Sequence, residues 1–498
     1  MLQTFLEQSA QYIFDKEENT QNLELLCIVV PTRRAGYFFK RALAQCADRP
    51  FLAPEVVAID DFVSQRCGIE IADNVSLLFE LYDVFKQIDK NITFERYLQW
   101  GTLLLRDFDQ IDQYLVDPDY LFEYITEAKA IERWQLNWPK SRISADSDRI
   151  KSYFELFSNL KKVYQAFRKD LQDHRRAYRG MAYRHLAENA FKLLLEMEDE
   201  IRNTENGTKD SPLKTQDSRL KTHHPPLTTH YYFVGFNALS ASEEKIIKTL
   251  IKAKRAEILW DTDHYYMREN PFVEGGRLLR QYREAGWTGE WKWTENHLLE
   301  TPKDIHVYAV SNASMQAKVA GELYQNWCTT EQGGSEKRPV GLVLTDENLL
   351  VPVLNGLDES ITDLNITMGL TLRNSLLFTL VDALFELQFT IAEFRSKDGH
   401  DIKIPKYNHR TVEKVLNHPF IRRYEFLALQ HRDSTAPSFI QTTIQTIQQR
   451  NLVHLDAQQL LEWSNNHPLF KTLFKRWNDN PHTVIKAFYE LIDLLREV

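Results

Sequence analysis

Cysteine is nearly absent from this chain, with 4 in 498 residues, and glycine and proline are sparse at 17 each. So little glycine and proline argues against a collagen-like or low-complexity polymer. Cys27, Cys46, Cys67 and Cys328 stand far apart, with no CxxC and no Cys/His cluster. That spacing reads as buried or inert thiols rather than a disulfide framework or a metal site. No run approaches 18 apolar residues, so no transmembrane helix and no membrane partner are expected. The opening MLQTFLEQSAQYIFDKEE lacks the basic start and long apolar stretch of a signal peptide, so the expected compartment is the cytoplasm. A basic excess is lacking too. The formal net charge is −9, and any contact with nucleic acid has to come from local patches.

What is present is ordinary globular material, 43% hydrophobic and 26% charged, in a length that suggests two to four domains. Six short apolar segments predict strands: about Leu25–Val30, Val56–Ile59, Tyr231–Val234, Ala256–Trp260, Ile305–Val310 and Val340–Thr345. Ser242–Lys254, with Ser242 as its cap, and Met315–Trp327 carry helical spacing between them. Alternation of strand and helix predicts a doubly wound parallel sheet, and the gap near residue 300 predicts two α/β domains in tandem. Residues 73–200 contain almost no strand signal. Within them Tyr153, Phe157, Leu160, Tyr164, Phe167 and Leu171 form an apolar stripe, read as helix core ahead of a base-stacking platform. Lys161, Lys162, Arg168, Lys169, Arg175, Arg176 and Arg179 either track a phosphate backbone or form a solvated face. Residues 203–230 read as a disordered loop, which gives His223, His224 and His230 no fixed geometry for a metal. Residues 381–498 read as helical.

The segment LLCIVVPTRRAGYFFKRAL from Leu25 carries the strongest functional signal. A buried strand ends at Pro31, Thr32 caps a helix, and Arg33 and Arg34 occupy its first turn. Free N–H groups, the positive dipole end and two guanidiniums then meet at one strand end, which suits a phosphate. The bland alternative is a pair of exposed charges at a helix start.

These blocks, in order, resemble the helicase-like half of AddB-type helicase–nuclease proteins, within the bacterial group described as PD-(D/E)XK nuclease family proteins. The resemblance rests on VVPTRRAGYFFKRAL from Val29, LAPEVVAIDDF from Leu52, LLLRDFDQIDQYLVDPDYLF from Leu103 and YRGMAYRHLAE from Tyr178. It continues through YYFVGFNALSASEEKIIKTL from Tyr231, VYAVSNASMQAKVAGEL from Val307, VGLVLTDENLLVPVLNGL from Val340, LNITMGLTLRNS from Leu364 and VEKVLNHPFI from Val412. It implies an α/β fold of two tandem RecA-like parallel-sheet domains of superfamily-1 helicase type, each with a large helical insertion. The implied division is 1–70 with 228–300 for the first domain, 71–202 for its insertion, 203–227 for a loop, 301–380 for a partial second domain and 381–498 for a truncated insertion. It implies a role in double-strand break repair and recombination, with single-stranded or end-exposed DNA and a motor helicase–nuclease subunit as partners. Carried onto this chain, the DNA-binding positions are Thr32, Arg33, Arg34, Asp60 with Asp61, Phe62, Asn312 and Ser314.

The catalytic parts of that family are missing from the residues. No GxxxxGK[S/T] is present, and where a Walker B strand would end in two acids the chain reads Val234-Gly235-Phe236-Asn237. Gly235 is read as a tight turn. Pro118-Asp119 followed by Glu127-Ala128-Lys129 mimics a PD…ExK nuclease but falls in a helical stretch, and Asp107, Asp109 and Asp112 read as solvated helix carboxylates. No catalytic residue, no metal ligand and no cofactor are therefore assigned, Mg²⁺ being expected only with a nuclease domain elsewhere. The leading expectation is a catalytically silent DNA-binding scaffold. The alternatives are a module that docks a motor subunit and, weakest, an active ATPase or nuclease. Asp60 and Asp61 as a helix cap, Asn312 as a turn residue, His418 as structural, and Asp346 with Glu347 as helix-start carboxylates are the simpler readings beside it.

Overall fold

The computed structural model describes residues 3–17, 20–47, 50–126, 148–196, 230–268, 274–289, 291–292, 295–329, 340–359, 361, 364–395, 403–430, 438–477 and 480–496. The chain divides into two compact units, Met1–Asp304 and Ile305–Val498. Residues 203–229 of the expected loop, with His223 and His224, and the Glu127-Ala128-Lys129 decoy lie outside the described residues, whereas His230 is not loop but the first residue of a strand, paired with Leu26.

In the first unit, α1 (Phe5–Lys16) precedes β1 (Leu26–Val30), α2 (Arg33–Gln45), β2 (Glu55–Ala58) and α3 (Ile59–Cys67). Later come β5 (His230–Val234) and β6 (Ala256–Leu259), joined by the helix Ala241–Lys252. The four long strands form one sheet in the order β2-β1-β5-β6, every pair parallel. All five residues of β1 are buried. Alternation with period two sends Cys27 and Val29 to one core and Leu26, Ile28 and Val30 to another. A strand apolar on both faces is therefore sandwiched. α1 and α2 cover one face through Ala10, Ile13, Phe39 and Leu43, and the Ala241–Lys252 helix covers the other through Ile246, Ile247 and Leu250.

The larger core lies on that second face. It gathers α4 (Asn74–Ile88), α5 (Phe94–Gln113), α6 (Pro118–Thr126), α7 (Asp148–Asp173) and α8 (Arg179–Phe191). A two-residue parallel pair, β3 (Glu70–Ile71) with β4 (Arg176–Ala177), ties the start of this set to its end. Tyr164, Phe167 and Leu171 of the long aromatic stripe are buried, so that stripe is core where it is described. Asp112 departs from its reading as a solvated carboxylate. It is fully buried, accepts hydrogen bonds from the hydroxyls of Tyr164 (2.5 Å) and Tyr178, and lies 2.7 Å from Arg184 Nε. Buried charge is tolerated only when paired and hydrogen-bonded in this way. The helix expected at Ser242–Lys254 is capped instead by Ser240, whose hydroxyl accepts from Glu243 N in a full capping box. Ser242 donates to the carbonyl of Gln113 at 2.7 Å.

The second unit has a core of its own. The helix Leu376–Phe389 is followed by β7 (Ala392–Arg395), β8 (Lys403–Asn408) and β9 (His454–Asp456), which form a three-stranded antiparallel sheet in the order β7-β8-β9. The helices His409–Leu416, Pro419–Gln430 and Phe439–Gln449 pack with it around Leu416, Ile421, Ile440 and Leu455. This sheet corrects the all-helical reading of 381–498. The strands expected at Ile305–Val310 and Val340–Thr345 are absent too, and no parallel sheet occurs in this unit among the described residues. Val307 is 91% exposed and Val343 88%. A strand is defined by its pairing, so an apolar run without a neighbouring strand does not become one. The helix beginning at Ala313 is present, to Thr329.

Candidate nucleic-acid interface

In a doubly wound sheet the loops after the strands gather at the carboxyl edge, and a crevice opens where the strand order reverses. Here the reversal lies between β1 and β5. The residues that follow these strands are Pro31 and Thr32 on one side and Gly235, Phe236 and Asn237 on the other. Gly235 adopts φ +76°, the left-handed conformation that glycine enters without a Cβ penalty. A cavity of about 570 Å³ adjoins the crevice, with Phe5, Pro31, Phe38, Arg41, Gly235 and Asp261 among its walls.

Thr32 is the N-cap of α2, its hydroxyl accepting from Ala35 N at 3.1 Å. Gly36 lies on the buried side of the helix, against Val30 and Val56 of the sheet. Arg33 and Arg34 consequently emerge at the strand end. The Arg33 guanidinium is not free. It forms a two-pronged bond with Asp61, Nε to Oδ2 at 2.8 Å and Nη2 to Oδ1 at 2.6 Å, while its side chain remains 83% exposed. This pairing explains how a cation is tolerated at a helix N-terminus, where the dipole opposes it. The hydrogen bond from Arg33 holds the Asp61 carboxyl below its ordinary range. Arg34 makes no ion pair among the described residues, and its guanidinium carbon lies 6.0 Å from the centre of the Phe38 ring.

Asp60 and Asp61 lie in the first turn of α3, whose N-cap is Ala58, so neither is the cap. Asp60 accepts from Arg179 Nε at 2.7 Å and from the Tyr183 hydroxyl at 2.5 Å, joining α3 to α8. Phe62 is fully buried and meets Tyr231 and Phe233 edge-on at 5.8 and 6.2 Å. It belongs to the core and offers no ring to DNA, because the helix period that exposes Asp60 turns Phe62 inward. Several of the cations read as either a backbone track or a solvated face are engaged within the protein: Lys161 with Asp119 at 2.9 Å, Arg176 with Glu80, and Arg168 with the Tyr164 hydroxyl at 2.9 Å.

Asn312 and Ser314 belong to the second unit. Asn312 caps the Ala313–Thr329 helix, its Oδ1 accepting from Met315 N at 2.9 Å, and Ser314 is exposed in the first turn. His418 is buried, sharing a hydrogen bond with Thr379 Oγ1 at 2.9 Å and accepting from Phe420 N, a structural role. Asp346 accepts from Asn348 N at the start of a short helix.

Acidic groups stand beside the cations at the carboxyl edge. The helix facing the crevice, α1, closes its own N-terminus: Thr4 Oγ1 accepts from Glu7 N, and the Glu7 carboxylate accepts from Thr4 N. Glu7 and Asp261 bring negative charge to the same cavity. Burial, with Glu295 and Asp263 nearby, raises the Asp261 carboxyl above its ordinary range. Among the described residues no cluster of three metal-binding side chains occurs. The cations at this edge are the exposed Arg33 guanidinium, paired with Asp61, and the Arg34 guanidinium beside the Phe38 ring.

No protein-family model matches this chain, and no curated protein matches it either.

Proposed function

We propose that this chain is a catalytically silent, helicase-like DNA-binding scaffold that works in double-strand break repair beside a motor helicase–nuclease subunit. The observation that carries the reading is the Thr32-capped helix at the end of the central parallel strand, with Arg33 and Arg34 exposed at its start. A phosphodiester can take the place of Asp61 on Arg33, exchanging one charge-assisted pair for another. The RecA-like character of the first unit belongs to this same proposal.

Fluorescence anisotropy with a labelled oligothymidine over a salt series tests it. Binding at low salt should weaken in Arg33→Ala with Arg34→Ala. The slope of log affinity against log salt should fall by about 0.7 for each phosphate that the variant no longer neutralises. No binding at low salt, or no change in the double variant, would remove the reading. A second reading, docking of a motor subunit, draws on exposed apolar side chains such as Tyr120 and Phe79 on the helical face of the first unit. Co-purification with an ATPase partner at high salt, after nuclease treatment, would favour it.

A further inference from the structure

Helix α2 reads Arg33-Arg34-Ala35-Gly36-Tyr37-Phe38-Phe39-Lys40-Arg41-Ala42-Leu43-Ala44-Gln45. It contains four cations and no acid, in a chain whose net charge is −9. Gly36, Phe39, Ala42 and Leu43 form its buried side. Everything cationic or aromatic besides Phe39 is on the outside. Tyr37 is 65% exposed and Phe38 42%, with ring centres 5.5 Å apart and edge to face. Two large exposed rings side by side leave apolar surface in water that their contact with each other and with Arg34 only partly covers.

Helical spacing sorts these residues into two rows. One is Arg33–Tyr37–Lys40 and the other Arg34–Phe38–Arg41, each at i, i+4, i+7. Both rows run cation, ring, cation, with about 10 Å of axial rise between the outer members. In the second row Phe38 and Arg41 also form part of the 570 Å³ cavity, so this ring has open space beside it as well as a guanidinium over it. Alternating positive charge and π-face is the pattern that recognises phosphate and unstacked base in turn. Duplex DNA keeps its bases stacked and gives the rings nothing to hold.

We propose that the outer face of α2 is a platform for single-stranded nucleic acid, with bases on Tyr37 and Phe38 and phosphates on Arg34, Lys40 and Arg41. The inference rests on the DNA-binding reading of the sheet edge and adds the outer face of α2, with its two rings, as the surface that holds the bases. It commits to a polyanion because the helix face is uniformly cationic while the protein is anionic, and to single strands because the rings need free bases.

The test compares oligothymidine, a blunt duplex and polyglutamate as ligands of the full chain, with circular dichroism to check the fold of each variant. Tyr37→Ala and Phe38→Ala are each expected to weaken oligothymidine binding on the order of tenfold, to leave duplex binding unchanged, and Phe38→Trp should restore it. Arg41→Gln should lower the salt slope by about 0.7 for oligothymidine. If both alanine variants bind oligothymidine as the wild type does while Arg33→Ala is impaired, the platform is wrong and the sheet edge stands alone. If Arg33→Ala binds normally and the ring variants do not, the platform stands without the edge. Equal losses for duplex and single strand, or displacement of oligothymidine by polyglutamate at equal charge, would overturn the proposal.

Discussion

Arg33 and Asp61 face each other across the ends of two adjacent parallel strands, and the carboxylate grips the guanidinium with both oxygens at 2.6 and 2.8 Å. The pair reconciles two demands on Arg33. It offsets the unfavourable helix dipole, and it keeps the cation extended at the mouth of the sheet. It also makes Asp61 a competitor of any incoming phosphate. Asp61→Asn should therefore tighten oligothymidine binding severalfold, and Arg33→Ala in the same background should abolish the gain. Anisotropy titrations of the single and double variants measure both effects; looser binding in Asp61→Asn would contradict the competition.

The Asp112 network joins three helices through one carboxylate, with Tyr164, Tyr178, Arg168 and Arg184 converging on it. Burial raises the Tyr178 hydroxyl far above its ordinary range, with Asp112 adding to the shift, so it stays a donor. Asp112→Ala removes the buried carboxylate shared by Tyr164, Tyr178 and Arg184, leaving Arg184 only Glu188 and the carbonyls of Ile111 and Val116, and breaking such a buried pair costs about 3–5 kcal/mol. Urea unfolding should show that loss as a lower midpoint with unchanged slope.

Gly180 lies where α8 crosses α5. A Cβ on it would stand 2.0 Å from the backbone oxygen of Asp109, whose carboxylate accepts from Gly180 N. Backbone cannot rotate aside as a side chain does, so Gly180→Ala must separate the helices. Overpacking of this kind costs about 1–3 kcal/mol, and thermal unfolding should record a clear drop, with Gly286→Ala on the surface as the comparison for strain at positive φ.

His230 is half-buried at the start of β5, and burial, with Lys16 nearby, pushes its imidazole down to about 4. The unfolded chain titrates near about 6.5, so between these values the unfolded state binds more protons than the folded one. Stability is therefore full above about pH 6.5 and declines as pH falls toward about 4. His230→Gln should flatten unfolding free energy over that window. An unaltered pH dependence in the variant would place the titrating group elsewhere.

Hydrogen exchange should separate the two kinds of apolar run. The amides of Ile28 and Val29, in a strand paired on both sides, should exchange slowly, whereas those of Val307 and Val310, in an extended run without a strand partner among the described residues, should exchange within the earliest time points. Matching protection in the two runs would mean that 305–310 is paired.

Local patterning made much of the first unit legible. The runs Leu25–Val30, Val56–Ile59, Tyr231–Val234 and Ala256–Trp260 declare themselves as strands because each is short and apolar, and the strands form there within one or two residues of those bounds, while Thr32 declares a cap because its hydroxyl bonds within its own turn. Those are properties of neighbours in the chain. Partners distant in sequence decided the rest. Phe62 turns inward onto Tyr231 and Phe233, Arg33 is claimed by Asp61, and Asp112 is enclosed by side chains from α7 and α8. Ile305–Val310 has the composition of a strand but lacks a strand to pair with, and Lys403–Asn408 becomes one through neighbours on both sides. The sequence by itself determined which segments could be strands, caps and helix faces. The tertiary structure decided which charges remain exposed, because pairing and burial depend on what the fold brings across the sheet.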